Sequence, residues 1–414
     1  AAVLGVPEAT VEKFRQAARE VWERWVPLAD LRARTDFYGL QRQLEEEAML
    51  GGDVFPHWVM HKDDRRPYAL AIELIEAERV GGQTQNEEDV FSGIRVNGYG
   101  APRAFQLVDQ HGEERWIPHR KGGRLLMNQY AYRMGANAHR GTPLFTPVLA
   151  LFDHLEEYVE SEVVAARVAA SIALLIKSND PLSAAMNRAG RTENAVRYEE
   201  IEAGLFHYLN PNEDVEEFNP QRPGSNFETA TLRLIRMICR GVNLPLELGA
   251  LDYTNSNFSA SKAAKLEARR MFRLRQQCAQ TGFCQPSYAM VLEEAYLRGE
   301  LPMIPAGSWE LARDEWCRAT WIPPGWGWVQ PEKEIQASAL AIEKGLSTRA
   351  REARNWTGQD YREIAEQLAR EDIELTRIRQ EAQEEIKKIE GDDPAPAREE
   401  EDPPEEEEEG EEEP

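Results

Sequence analysis

The stretch from Pro147 to Lys177 constrains the fold more than any other part of the chain, because no further proline and no glycine interrupts it. Its apolar residues recur at helical spacing and form a stripe along one face: Leu151, Leu155, Tyr158 and Val159. The sequence therefore predicts one long helix over residues 147–177.

Two other kinds of sequence surround this helix. Residues 8–50 are rich in charge and predict helical structure, with apolar residues three and four apart at Phe14, Ala17, Val21 and Trp25. Residues 53–116 contain short alternating runs separated by glycine turns, which predict a small antiparallel sheet. One such run is Leu70, Ile72 and Leu74. With a second, shorter helix predicted over 228–240, the fold class is α+β and mostly helical.

The segment between the two helices has a different texture. Residues 178–197 are polar and contain Pro181, Gly190 and three asparagines, as an exposed loop would. Short strand candidates follow at Val196–Ile201 and Leu205–Leu209, before a proline-rich stretch.

A seven-residue apolar pattern near the C-terminus predicts a helix over 359–390 that needs a partner. Its members are Tyr361, Ile364, Leu368, Leu375, Ile378, Ala382 and Ile389. Residues 391–414 are dominated by proline and glutamate, which predicts disorder because almost nothing there can be buried.

The chain of 414 residues is long enough for several modules, and its formal charge is −24. Residues 391–414 contribute −13 of that charge, from fourteen acidic residues and Arg398, which leaves −11 for the rest. Tight binding to nucleic acid needs a net basic surface, so the balance argues against it. A conduit through which duplex DNA slides without sticking is compatible with this charge.

One basic island stands out in the acidic chain. Lys262, Lys265, Arg269 and Arg273 recur three and four residues apart on a predicted helix capped by Asn257 or Ser259. They could make weak, sequence-independent contacts with phosphate. Alternatively they pair with carboxylates of the chain or of an adjacent subunit, such as Glu267, Glu293 or Glu294. Periodicity alone favours the second interpretation.

No motif supports catalysis. His57 and His61 lack the adjoining glutamate of a zinc protease and lie in strand-like sequence, so we expect no metal site there. Glu156, Glu157 and Glu160 are interpreted as a solvated helix face. The turn at 97–102 lacks a dinucleotide fingerprint, and neither a phosphate-binding loop nor a GxSxG motif occurs.

The cysteines at 239, 278, 284 and 317 form no CxxC pair and are expected to be reduced, as in a cytoplasmic protein. The most apolar run, 163–176, is shorter than the roughly 20 residues that a membrane span needs. No signal peptide is recognised. Because the first residue is alanine, we expect a chain that is processed, trimmed or incomplete at its start.

Six stretches, in this order, resemble the lambda-type phage portal family. They are GGDVF (51–55), ELIEAERV (73–80), RGTPLFTPVLALFDHLEEYVESEVVAARVAA (140–170), GVNLPLELGALDYTNSNFSASKAAKLEARRMF (241–272), YLRGEL (296–301) and WVQPEKEIQASALAIEKGLST (328–348). The most specific combination is Asp252, Asn257-Phe258-Ser259 and Leu266-Glu267. Two departures from the family pattern are expected. Portals of this type carry a substantial N-terminal segment upstream of what aligns with residue 8, and they do not require a polyglutamate tail such as the one here.

The resemblance implies a portal-type subunit with wing, stem, clip and crown regions. The expected boundaries are 1–146 wing, 147–177 first stem helix, 178–227 clip, 228–250 second stem helix, 251–260 tunnel loop, 261–356 long helix and remainder of the wing, 357–390 crown helix and 391–414 acidic tail. Candidate channel-facing residues of the tunnel loop are Asp252, Asn255, Ser256, Asn257, Phe258 and Ser259.

The same resemblance implies a homo-oligomeric ring, usually of twelve subunits, at one capsid vertex. Double-stranded DNA would pass through it, bound weakly and non-specifically, during packaging and ejection. The expected partners are the terminase large subunit, the head-tail adaptor, the major capsid protein and scaffold, with no membrane, cofactor, metal or catalytic residue. Assembly in the host cytoplasm would end in the virion. The alternatives are an acidic-tailed scaffold or adaptor protein and a metal-dependent DNA enzyme.

Overall fold

A computed structural model describes residues 5–81, 89–109, 111–171, 175–178, 213–216, 226–254 and 256–391. The chain divides into two compact units, residues 1–319 and 320–414. Within the described residues, no helix is both long and apolar enough to cross a membrane. The expected segment 261–356 is therefore divided between two units, because the division falls after Ala319.

Two helices begin the first unit, α1 (Glu8–Trp25) and α2 (Phe37–Gly51). The buried face of α1 is formed by Val11, Phe14, Ala18, Val21 and Trp25, so Ala18 lies where Ala17 was predicted. Helix α2 begins after Asp36, whose carboxylate accepts a hydrogen bond of 2.7 Å from the Gly39 amide and satisfies an otherwise unpaired donor. The predicted helical opening module is confirmed.

The sheet region contains more than the one small sheet that was predicted. Strands β1 (Asp53–Met60), β2 (Leu70–Glu76) and β9 (Tyr130–Ala131) form a sheet of order β2-β1-β9. A second sheet has the order β3-β4-β5-β6, and β7 pairs with β8; these six strands are Val90–Phe91, Ile94–Val96, Pro102–Val108, Glu114–Pro118, Arg120–Lys121 and Arg124–Leu125. All pairs are antiparallel, as predicted.

The two larger sheets share one apolar core, and for this reason the alternating pattern of residues 53–116 predicted a single sheet. Phe55 and Ile75 of the first sheet pack with Ile94, Phe105 and Leu107 of the second. Alternation along a strand identifies which side chains are buried but not which strand lies beside it.

One buried ion pair joins the beginning of β1 to the chain beyond β9, and we call it the Asp53–Arg140 junction. The Arg140 guanidinium donates to both Asp53 carboxylate oxygens at 2.7 and 2.9 Å. It also donates to three backbone carbonyl oxygens, those of Ala77, Val80 and Ser92. Asp53 is 1% exposed. The junction connects the GGDVF and RGTPLF stretches, 87 residues apart in sequence.

Glycine is required on both sides of this junction. Gly52 has a φ of +88°, and a Cβ placed there would lie 2.8 Å from the carbonyl carbon of Gly141. Gly141 in turn packs directly on the Gly52 carbonyl. Because neither backbone can move away without breaking the ion pair beside it, a side chain at either position would be destabilising.

The predicted long helix is shorter than expected. Helix α3 covers Leu149–Ser171, and residues Leu175–Ser178 form strand β10, which pairs antiparallel with β11 (Glu213–Glu216). The prediction of helix to Lys177 was wrong because Leu175 and Ile176 suit a strand as well as a helix, and a partner strand distant in sequence decides between the two. The other predicted features of 179–212, including both strand candidates, lie outside the described residues.

The second helix of this hairpin, α4 (Phe227–Gly241), confirms the prediction over 228–240 within one residue at each end. It packs against α3 through a cluster of buried and half-buried side chains: Leu144, Phe145, Val148, Leu151, Leu155, Ile238, Val242 and Leu244. Tyr158 stacks on Phe227 with ring centroids 5.5 Å apart. The two helices therefore form one hairpin.

A continuous helical rod follows, made of α6 (Phe258–Ala279), a π-turn (Gln280–Cys284) and α7 (Gln285–Leu297). It is preceded by the short α5 (Leu246–Gly249) and followed by α8 (Ser308–Trp316). Helix α7 is fixed on the first sheet, since Glu294 accepts hydrogen bonds from the backbone amides of Ala69 and Leu70 at 2.7 and 3.0 Å. The second half of the rod therefore belongs to the core.

The second unit contains helices α9 (Pro331–Glu343), α10 (Arg349–Trp356) and α11 (Tyr361–Gly391). Trp328 stacks on Trp356 with ring centroids 4.4 Å apart, and the Trp356 indole donates to Ser338 at 3.0 Å. Helix α11 confirms the predicted C-terminal helix. Five apolar residues along it are roughly half exposed or more: Leu368, Ile373, Leu375, Ile378 and Ile386.

Candidate nucleic-acid interface

The loop before α6, residues 251–257, is held in shape by its own side chains. The Asp252 carboxylate accepts hydrogen bonds from the Thr254 amide, at 3.0 Å, and from the Thr254 hydroxyl. These bonds lower the pKa of Asp252 below its usual value. Asp252 is therefore negatively charged, and one of its carboxylate oxygens already accepts hydrogen bonds from within the loop. We call residues 251–257 the polar loop; Asn255 lies outside the described residues.

The end of the polar loop is also the cap of the helix that follows. The Asn257 side chain accepts from the Ala260 amide at 2.8 Å, which decides between the two predicted caps in favour of Asn257. The hydroxyls of Ser256 and Ser261 lie 2.7 Å apart. Phe258 and Ser259 are exposed in the first turn of α6. The asparagine and serine groups are thus fixed near the surface.

The predicted basic stripe on α6 consists of Lys262, Lys265, Arg269 and Arg273. Arg273 is exposed, and the other three are half-buried. The Lys265 ammonium lies 5.7 Å from the centre of the Tyr253 ring, so the stripe and the polar loop are neighbours. The contact with Tyr253 was not predicted, because helical periodicity shows which residues of the helix share a face but does not locate the loop that precedes it.

Each of the three carboxylates offered as partners of this stripe, Glu267, Glu293 and Glu294, forms an ion pair with an arginine outside the stripe. Glu267 pairs with Arg270 at 3.1 Å on the same helix. Glu293 pairs with Arg313 at 3.0 Å and lies 3.7 Å from Arg124, while Glu294 pairs with Arg298. Residues in adjacent turns of α6 and α7 need not share a face, and the π-turn between them changes the register.

Large apolar side chains surround the polar loop and the stripe on the surface. Leu251 is 74% exposed and Leu274 is 65% exposed. Phe258 and Leu266 are each 50% exposed. Several such residues within one region are typical of a surface that is covered in an assembly.

The candidates for metal chemistry are separated by the fold. His57 lies inside β1, which ends at Met60, before His61. Its Nδ1 atom is 3.7 Å from the Glu73 carboxylate, and Glu73 is also paired with Arg32 at 3.1 Å. Glu156, Glu157 and Glu160 are exposed on α3, in agreement with a solvated helix face. In the described part of the chain, no group of three or more histidine, cysteine, aspartate or glutamate residues could hold a metal ion.

The fold and surface describe an α+β protein with a helical hairpin, an exposed polar loop and a basic stripe in an otherwise acidic chain. The family described as phage portal protein, lambda family, matches residues 1–276. The chain belongs to the lambda family of phage portal proteins. Its function is that of a subunit of the phage portal ring, and the family is structural rather than enzymatic.

Relatives support this assignment along most of the chain. The similarity to Portal protein B of Escherichia phage lambda is 22% identity over 408 residues, covering 90% of this chain and 76% of that protein. The portal protein of Escherichia phage N15 is 23% identical over 421 residues, with the same two coverages. The location is therefore that of a virion component.

Two solved structures are similar to this chain at low sequence identity. One is the neck of a native gene transfer agent particle computed with C12 symmetry, with a TM-score of 0.42, 12% identity and coverage of 84% of this chain and 92% of that one. The other is the virion of a native gene transfer agent particle, with a TM-score of 0.40, 14% identity and coverage of 75% and 88%.

Proposed function

We propose that twelve copies of this chain close into a ring whose channel is lined in part by the polar loop. The observation that carries this proposal is the position of the loop. It is exposed, it borders the basic stripe through Tyr253 and Lys265, and Asn257 and Ser256 present neutral polar groups at its end. Such groups contact passing DNA through water without forming ion pairs.

The basic stripe supplies the weak electrostatic attraction in this proposal. Phosphate contacts from Lys262, Lys265, Arg269 and Arg273 are independent of DNA sequence and are screened by salt. An acidic chain that carries this basic stripe guides duplex DNA without holding it, because its net charge is negative and repels phosphate. Within this proposal the chain performs no catalysis and binds no cofactor.

The regions of the subunit follow the family map, with boundaries adjusted to the observed elements. Helices α3 and α4 are the stem, β10 and β11 begin the clip, and the first two sheets with α1 and α2 belong to the wing. Helix α11 is the crown helix. Its half-exposed seam, which includes Leu368, Leu375 and Ile378, would be buried against the same helix of neighbouring subunits.

Specific partners complete the proposal. The clip docks the terminase large subunit during packaging and the head-tail adaptor afterwards, and the wing contacts the major capsid protein and scaffold. The ring assembles in the host cytoplasm and ends at one vertex of the virion.

The ring itself is tested on the purified full chain by light scattering and negative-stain imaging. We expect closed rings with a central hole. A monodisperse monomer at several salt concentrations, with no rings in the images, would contradict the proposal. Deleting residues 391–414 should leave rings intact, whereas loss of partner capture on that deletion would favour the alternative of an acidic-tailed scaffold.

The role of the stripe is tested by measuring how DNA binding to assembled rings depends on salt. Replacing Lys265 and Arg273 with glutamine should lower affinity and reduce the slope of log affinity against log salt by about two. The matched control replaces Arg270 and Lys344, which are exposed and paired with Glu267 and Glu343, and changes the charge equally. Equal slopes in the two variants would remove the stripe from the DNA path.

A further inference from the structure

The hairpin of α3 and α4 carries opposite charge on its two helices. On α3, four exposed carboxylates recur at spacings of three, one and three residues, so they lie on one face. We call them the acidic edge: Asp153, Glu156, Glu157 and Glu160. The residues of α3 that pack toward α4, Leu151 and Leu155, lie on the opposite side of the helix. The acidic edge therefore points away from α4.

Helix α4 repeats this arrangement with the opposite sign. Its exposed arginines are spaced three and four residues apart and form the basic edge: Arg233, Arg236 and Arg240. Ile238, which packs toward α3, lies on the other side of the helix. Within the described residues, none of the three arginines forms an ion pair. Three positive charges are thus left on one surface, with the Asp252 carboxylate of the polar loop close enough to Arg236 to feel its charge.

The positions of the two edges decide how copies of the hairpin can associate. Each edge faces away from the helix that shares its hairpin, so the pair of helices is a layer with one negative and one positive side. Two copies in the same orientation bring a negative side against a positive one. A twofold arrangement through either edge brings like charges together. Only the first arrangement is heterologous and continues from copy to copy until it closes.

Apolar surface accompanies the charges on both sides. Beside the basic edge lies a groove of about 760 Å³, whose lining includes Arg236, Arg240, Leu244 and Leu274 together with the carboxylates Glu247 and Glu267. Met237, between the two arginines of the groove, is 53% exposed. The acidic edge is flanked by Leu149, Phe152 and Val163, which are 55%, 40% and 44% exposed. Apolar contacts surrounded by charged groups are the usual composition of a specific interface.

We propose that the acidic edge of α3 in one subunit docks on the basic edge of α4 in the next, with a second copy of this chain as the occupant. This proposal rests on the ring function and adds the joint by which neighbouring stems recognise each other. Individual exposed ion pairs contribute little, but complementary rows of charge exclude the wrong orientation. The same joint recurs between every two neighbours in the ring.

The test is a charge exchange on the full chain. One variant carries Glu156→Lys and Glu160→Lys, a second carries Arg236→Glu and Arg240→Glu, and a third carries all four substitutions. Each of the first two variants should reduce the fraction of chains in rings at least tenfold, measured by light scattering and negative-stain counting. The third should restore most of it, because the signs are exchanged rather than lost.

Controls separate this joint from folding and from total charge. The variant Glu332→Lys, Glu343→Lys has the same charge change on exposed positions of α9 and should assemble as the parent does. Circular dichroism checks that each variant is folded, and recovery in the four-site variant makes a folding defect an insufficient explanation.

Three outcomes would overturn the joint while leaving the ring function standing. Parent-like rings from both charge-reversed variants would show that the edges do not meet. Loss of rings without recovery in the four-site variant would show that each edge has a different partner. Intact rings with weaker DNA binding in the arginine variant alone would place the basic edge in the DNA path. Absence of rings from the parent chain would instead contradict the proposed function.

Discussion

The Asp53–Arg140 junction and the polar loop with its basic stripe use the same kinds of residue for different purposes. At the junction the partners are distant in sequence and buried, and one guanidinium makes five hydrogen bonds. In the loop, Asp252 and Asn257 are bonded to residues two or three positions away and stay near the surface. Charged groups whose partners are buried and distant in sequence stabilise the fold. Polar groups that are bonded to near neighbours in sequence stay at the surface, where another molecule can contact them.

The largest effect is expected at the junction. Arg140→Ala leaves the buried Asp53 carboxylate without its cation and frees three carbonyl oxygens, so the free energy of unfolding should fall by about 3–5 kcal/mol. Urea denaturation of the full chain measures it. Arg273→Ala, which replaces the exposed member of the stripe, is the matched control and should change stability by less than about 0.5 kcal/mol. Equal effects of the two substitutions would erase the contrast between the regions.

A smaller effect, dependent on pH, is expected at Glu73 on β2. His57, with Arg32 and Arg79, lowers the pKa of Glu73 to about 2. A lowered pKa stabilises the folded chain fully above the carboxyl's unfolded value of about 4.5, and this contribution is lost as pH falls through about 2. Glu73→Gln should therefore cost on the order of 2 kcal/mol at pH 7, after allowance for partial exposure.

Unfolding of the two proteins at pH 7, 5 and 3 measures this dependence. The stability difference between the parent and Glu73→Gln should be nearly constant from pH 7 to pH 5 and should shrink on further acidification. A stability difference that stays the same down to pH 3 would mean that the negative charge of Glu73 does not contribute to the free energy of unfolding.

A local effect of about 1 kcal/mol is expected at the end of the polar loop. Asn257→Ala removes the cap of α6 and leaves the Ala260 amide without its side-chain acceptor. Hydrogen exchange at Ala260 should accelerate several-fold, while Asn257→Asp should retain protection because a carboxylate accepts the same bond. Unchanged exchange in the alanine variant would argue that the loop is held by contacts other than its own cap.

The smallest effect is expected where the stripe meets the loop. The Lys265 ammonium near the Tyr253 ring should contribute about 0.5 kcal/mol, as exposed cation–π contacts do. A double-mutant cycle with Lys265→Met and Tyr253→Leu isolates the pairwise energy from unfolding midpoints. A coupling energy above about 2 kcal/mol would mean that this contact stabilises the fold as strongly as a buried contact of the Asp53–Arg140 junction does.

Local sequence signals predicted the α+β class, the antiparallel pairing and the helix at Phe227–Gly241, because each depends on residues within a few turns or one hairpin. The end of α3 was missed for the opposite reason. Leu175 and Ile176 become a strand because Glu216 and Val215 pair with them, and no local pattern reports a partner so far along the chain. The junction of Asp53 with Arg140 was invisible for the same reason.

The candidate site was predicted in part. Helical periodicity located the stripe from Lys262 to Arg273 and offered Asn257 as a cap, since both signals lie within one helix. Periodicity could not show that Glu293 pairs with Arg313 and Glu294 with Arg298, because those pairs depend on which face α7 turns toward the sheet. The assignment of the loop to a channel came from family resemblance and stays a prediction.

The π-turn at Gln280–Cys284 has a consequence for how this subunit could vary. A π-turn accommodates one residue more than an ordinary helical turn, and each residue rotates a helix by about 100°. Deleting one residue there would restore a regular helix but turn everything after it, carrying Glu294 away from the Ala69 and Leu70 amides. The extra residue thus fixes the rotation of α7 relative to α6. An insertion or deletion in the rod should be tolerated only when a second, compensating change restores that rotation.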